Sequence, residues 1–290
     1  MEGKNLIRFD WAIKRLLRNK ANFAVLEGFL SELFKQNISI DSILESEGNQ
    51  QDADDKYNRV DMLVRNSKGE LLIIEIQNRN EYDFFQRMMY GASKVIAEYA
   101  TMGEPYSMIK KVFSINILYF DLGQGKDYVY HGTTCFRGVH QNDTLRLSAK
   151  QKELFGQPEV YQLFPEYYVL KVNQFDGVAK DTLDEWIYYL KNNDIKEEFT
   201  AKGLAQAKQL LSLDNLTEQE RKQYIRHLEN LSYKASMVET WRVEAEDEVR
   251  QEERRLTNVE IVKRGLARGY SIEDLSELTG LSLEEIKKLK

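Results

Sequence analysis

Two carboxylates and an amide sit in stretches that are otherwise apolar: Asp61 at the start of VDMLV, and Glu75 and Gln77 in LLIIEIQ (71–77). Desolvating a lone carboxylate is expensive, so an acid in a buried strand needs a basic partner or a bound cation. Residues i and i+2 of a strand share a face, so Glu75 and Gln77 project together while Ile74 and Ile76 fill the other side. Two carboxylates drawn close repel unless one is protonated or a divalent cation lies between them. Ligands that are all oxygen suit Mg²⁺, Mn²⁺ or Ca²⁺ rather than zinc. The bland alternative is a pair of strand-end acids neutralised by bases such as Lys56 or Arg87.

Whether Asp61 and Glu75 share a face depends on the connection NSKGE between the two strands VDMLVR (60–65) and LLIIEI (71–76). Asn, Ser and Gly there predict a hairpin. Directly opposed residues of an antiparallel pair share a face. A two- or four-residue loop sets Asp61 across from Ile74, whereas a three- or five-residue loop, or one β-bulge, sets it across from Glu75.

The remaining elements frame this hairpin. Apolar residues from Phe9 to Phe34 recur at helical spacing, as one or two helices broken around RNKAN. Residues 45–58 are polar and loop-like, with room for a short strand. Phe84, Met88, Ala92, Val95 and Tyr99 line one side of a helix whose other faces carry Asp83, Arg87, Tyr90 and Lys94. Strands are expected at 111–120, 127–136 and about 166–172, and a helix from about Asp181. Helices, a hairpin, a helix and further strands make an α/β arrangement with a central mixed sheet. From 197 the chain reads as wholly helical. The stretch 238–256 is a highly charged helix, followed by three short helices at about 257–267, 272–279 and 283–289. Ser271 with Asp274, and Ser282 with Glu285, have capping-box spacing.

The formal charge of −6 argues against a protein that coats nucleic acid through bulk positive potential. It leaves a nucleic-acid enzyme open, and the segment from Arg8 to Lys20 is locally basic (Arg8, Lys14, Arg15, Arg18, Lys20 against Asp10). One cysteine, Cys135, excludes an internal disulfide framework and fits a reducing compartment. No apolar run is long enough to span a bilayer, and MEGKNLIRFDWAIK is not a secretory signal, so the expected location is cytoplasmic. His131, His140 and His227 are far apart in sequence, Cys135 lies in an expected strand without an obvious base, and no phosphate-binding P-loop or dinucleotide fingerprint occurs.

The series Asp61 … Glu75-Ile-Gln77 resembles the D…(D/E)-x-K core of PD-(D/E)XK nucleases, and more narrowly the recombination-promoting nuclease and transposase family, in which Gln commonly stands for Lys. FDWAIKRLL resembles that family's D-x-x-F-K helix, with Ile13 at the Phe. DKYNRVDMLVRNSKGELLIIEIQ is similar to its long motif, and FFQRMMYGASKV to its R-x-x-Y-Y helix, with Gly91 at the second Tyr. FSINILYFD, DEWIYYL and GYSIEDLSELTGLSLEEIKKL continue the likeness over nearly the whole chain. The resemblance implies a restriction-endonuclease-like core with a central mixed sheet flanked by helices, plus a helical C-terminal region. It implies Asp61 and Glu75 as ligands of a divalent metal, Mg²⁺ first and Mn²⁺ or Ca²⁺ next, with no other cofactor. Gln77 stands at the position of the catalytic lysine, and Asp10 is a candidate further acid. Arg87, Tyr90 and Lys56 are candidates for phosphate contact or support.

The implied function is a metal-dependent DNA endonuclease that hydrolyses phosphodiesters in recombination or element mobility. The competing reading is a catalytically degenerate DNA- or protein-binding module that keeps the fold, because Gln77 carries no charge. The organisation expected is a nuclease-like domain over 1–196, a charge-rich helical connector over 197–256 and a small helix-turn-helix-like unit over 257–290. Those C-terminal helices are the expected route to a homo-oligomer; the last one, SLEEIKKLK, suits protein contact at least as well as base readout.

Overall fold

A computed structural model describes residues 6–44 and 61–289. The expected loop at 45–58, and Lys56 with it, lies outside those residues. Six strands form one mixed sheet in the order β1-β2-β3-β4-β6-β5: β1 (Ile40–Leu44), β2 (Met62–Asn66), β3 (Leu71–Gln77), β4 (Val112–Leu118), β5 (Val129–Gly132) and β6 (Glu166–Lys171). β3, β4 and β6 run parallel, while β1, β2 and β5 are antiparallel to their neighbours. The central strands LLIIEIQ and VFSINIL are nearly continuous apolar runs because both of their faces are covered.

One face is covered by α3 (Phe84–Tyr99), which crosses from the end of β3 towards the start of β4. Its buried residues Phe84, Met88, Ala92 and Val95 are the stripe read from the sequence. They pack on Leu63, Leu71, Ile73, Val112, Leu118 and Val169, which project from four strands. Phe34 of α2 (Phe23–Phe34) packs on Phe113 at a tilt and edge-to-face on Tyr168, both of the other face. α1 (Phe9–Arg15) and α5 (Thr182–Asn192) join it there, with Phe9, Phe29, Trp186 and Tyr189 in mutual edge-to-face contact. Two elements were not legible in the sequence: the edge strand β1, and α4 (Ala149–Phe155), whose residues are exposed or only half-buried.

The expected strand at 127–136 forms only over Val129–Gly132. An edge strand is held from one side, and its pairing with β6 ends at Gly132, so Cys135 lies in exposed irregular chain. His131 sits 2.6 Å from the buried carboxylate of Glu166, which also pairs with Lys111 at 2.8 Å.

The chain divides into two compact units, residues 1–218 and 219–290, so the expected boundary at 196/197 moves. α6 (Leu204–Leu210) buries Leu204 and Ala207, followed by buried Leu211, whose carbonyl accepts from Ile7 N at 2.7 Å. Segment 197–218 is therefore core, not connector. The boundary at 256/257 falls inside α7, a helix running from Glu218 to Ala267. No Gly or Pro interrupts it before Gly265, and i,i+3 or i,i+4 ion pairs such as Arg242 with Glu239 and Glu246 line it. The second unit closes around Val262, Leu275 and Ile286, from α7, α8 (Ile272–Thr279) and α9 (Leu283–Lys288). Leu275 packs closely on Gly265 there: a Cβ would stand 2.4 Å from Leu275 Cδ2 and the leucine side chain would have to shift.

Candidate active site

The hairpin contains the odd residue. Arg65 pairs with Leu71 and Met62 with Ile74, and Asn66 N donates to Glu70 O at 3.0 Å across the three-residue loop Ser67–Gly69. Gly69 closes the loop with φ +78°, a left-handed conformation that glycine adopts without strain. The Asn66 side chain braces the turn by accepting from Lys68 N and Glu70 N. Continuing that register by one residue sets Asp61 across from Glu75, at the C-terminal end of β3. Asp61 Oδ2 accepts from Ile76 N at 2.8 Å, which ties its carboxylate to that strand end.

Glu75 is 7% exposed. Burial pushes its carboxyl up from 4.5 to about 6; Arg87 opposes the shift and the Asp61 charge adds to it. Arg87 reaches down from the first turn of α3 onto both Glu75 and Glu81. Its aligned hydrogen bonds go to Glu81, at 2.9 and 3.0 Å. Arg87 also touches Glu75 Oε1, where its positive charge favours the ionised carboxylate. Burial opposes the charge on Arg87, but Glu75 and Glu81 outweigh it and push its pKa up. Gln77 projects beside Glu75, and its Nε2 donates to Glu81.

Asp61 faces α1: Lys14 Nζ is 2.8 Å from Asp61 Oδ1, and Arg18 donates to the Asp61 carbonyl at 3.1 Å. Both carboxylates therefore have a cation against them, Lys14 for Asp61 and Arg87 for Glu75. The other expected residues are placed differently. Asp10 is buried but engaged by Arg8 (3.1 and 3.2 Å) and by Asn78 Nδ2 (3.1 Å), the residue after Gln77. Tyr90, one turn beyond Arg87 on α3, is about half exposed. Glu81, Lys14 and Asn78 were not singled out from the sequence. An acid just ahead of the helix that carries Arg87 is the signal that marks Glu81, and Lys14 closes the motif FDWAIK.

The donor set suits a hard cation in part. The Asp61 charge acts on Glu75, and Asn116, the register partner of Glu75 on β4, keeps its Oδ1 buried without a donor. Among the described residues no three of His, Cys, Asp or Glu group as a metal site. Such a set fits an ion that retains several waters, as Mg²⁺ does on one or two carboxylates.

A family model described as PD-(D/E)XK nuclease family transposase matches residues 7–240, a span that holds α1, the Asp61–Gln77 hairpin and α3. The chain belongs to that family. Its six-stranded mixed sheet with flanking helices is the restriction-endonuclease-like α/β fold that the resemblance implied. Membership gives this PD-(D/E)XK protein a nuclease-like role related to mobile elements. No curated protein and no solved structure matches the chain significantly. Among the described residues no helix is long and apolar enough to cross a membrane.

Proposed function

We propose that the protein is a divalent-metal-dependent DNA endonuclease that uses Asp61, Glu75 and Gln77. The observation that carries this reading is the hairpin register, which sets Asp61 across from Glu75 with Gln77 next on the same face. Asp61 and Glu75 would hold the cation, Mg²⁺ in the first instance. When bound, such a cation polarises the scissile phosphate and lowers the pKa of coordinated water.

The protein's own groups do the rest. Ile76 N and Arg87 fix the two carboxylates. The Gln77 amide, oriented by Glu81, presents its carbonyl oxygen to a water and holds it beside the phosphate. The water oxygen forms a bond to phosphorus, its proton passes to solvent, and the bond from phosphorus to a sugar oxygen breaks. That leaving oxygen takes up a proton from water. DNA is the proposed partner, and the C-terminal helices are the proposed route to a homo-oligomer.

Nicking of supercoiled plasmid with Mg²⁺, Mn²⁺ or Ca²⁺ tests the reading. Asp61→Ala and Glu75→Ala should each reduce cleavage to background, and equal activity in all three proteins would remove it. A second reading rests on the neutral Gln77 and on the cations facing both acids: a binding module that keeps the fold. It predicts DNA retention without nicking in any of the three metals.

A further inference from the structure

The neutral side chain at position 77 leaves the proposed reaction without the fixed cation that a lysine there would bring. A candidate for that charge stands on a different element. Lys14, on the last turn of α1, places Nζ 2.8 Å from Asp61 Oδ1, at the carboxylate across from Glu75. We propose that Lys14 supplies this missing charge by donating to a non-bridging oxygen of the scissile phosphate, an assignment that rests on the nuclease reading above.

Three observations favour Lys14 over the other cations near the site. Asp61 does not depend on Lys14 for its orientation, since Oδ2 is held by Ile76 N and its carbonyl by Arg18. The Lys14 side chain is 51% exposed, so a phosphate arriving from solvent can reach its head group. A flexible four-carbon stem lets the ammonium turn from Asp61 to a neighbouring anion. Arg87 lacks that freedom: its guanidinium is only 26% exposed and lies between Glu75 and Glu81. Lys14 also improves the charge balance. With Asp61, Glu75 and Glu81 on one side and Lys14 and Arg87 on the other, losing Lys14 leaves a more anionic site facing an anionic backbone.

The test uses full-length protein with Lys14→Ala, Gln77→Lys, the double variant, and Lys208→Ala as a control for loss of an exposed charge on α6. Lys14→Ala should lower the cleavage rate by about 10²-fold, the scale of one lost charge-stabilising donor. It should also reduce the slope of log Kd against log salt for metal-free duplex binding by about 0.9, the value of one phosphate contact. Lys208→Ala should change neither quantity. The double variant should recover at least tenfold of the lost rate, because the ammonium returns on the adjacent strand.

Full activity in Lys14→Ala, or a loss that Gln77→Lys leaves unrestored, would overturn the proposal. So would a loss that higher metal concentration fully repairs, since Lys14 would then only neutralise Asp61. If wild type and Gln77→Lys both fail to nick DNA, the nuclease reading fails separately. The metal-free salt slope then decides the phosphate contact, supporting it if lowered in Lys14→Ala and overturning it if unchanged.

Discussion

With its carboxyl pushed up to about 6, Glu75 holds at neutral pH a charge that the metal-free fold disfavours. Its folded pKa exceeds the unfolded value of 4.5, so its favourable contribution is complete below 4.5 and is lost as pH rises through 6. The difference corresponds to roughly 2 kcal/mol above that range. In protein stripped of metal by EDTA, Glu75→Gln should therefore be the more stable protein at pH 7.5, by up to about 2 kcal/mol. The gap should close by pH 4. Thermal unfolding at the two pH values checks this, and a difference independent of pH would contradict it. Lys14 is half-exposed, and Asp61, though only 12% exposed, keeps its bond from Ile76 N, so Lys14→Ala should melt within a few degrees of wild type. At this scale the sequence exposed the acids and the face shared by Glu75 and Gln77. It offered Arg87 as a partner and left Lys14 and Glu81 open, because they reach the site from segments whose packing no local pattern specifies.

At the scale of elements, the hairpin decides the site. Side chains alternate along a strand, so one residue more or fewer in the loop would move Asp61 from Glu75 to Ile74. Asn66 and Gly69 hold the three-residue solution, the first through its side-chain bonds and the second through its left-handed backbone. Gly69→Ala should cost about 1–2 kcal/mol, the penalty for a side chain in that conformation. Nicking should be unchanged at a temperature where the variant stays folded. A urea midpoint equal to wild type would show that the turn does not depend on that glycine. The hairpin, the α3 stripe and both serine caps were legible because each is a local pattern: Ser271 caps Asp274 N at 3.0 Å, and Ser282 with Glu285 forms a full capping box. β1 escaped notice because IDSIL alternates weakly and gains its place only by pairing with β2.

For the whole molecule, the family match to residues 7–240 and the separate core of Val262, Leu275 and Ile286 point to a division of labour. A chain ending at residue 240 should stay folded and keep the proposed nicking activity, while the proposed homo-oligomer is lost. Light scattering together with the plasmid assay measures both. A truncated protein that is folded but inactive would assign the second unit to catalysis. Leu275→Asp in the full chain should unfold the second unit alone, since it buries an unpaired charge in a small core. Loss of its helical signal with the first unit's melting unchanged is the expected result.

The sequence by itself determined the acids, their strand, the covering helix and the family, since each is written in residue type at short range. Tertiary structure decided three further matters. The loop took three residues, so Asp61 meets Glu75. Segment 197–218 became core, because Leu204, Ala207 and Leu211 found apolar partners far away in the chain. Lys14 came to rest on Asp61, where the energy of a charge depends on what packing brings within a few ångströms and not on its neighbours in sequence.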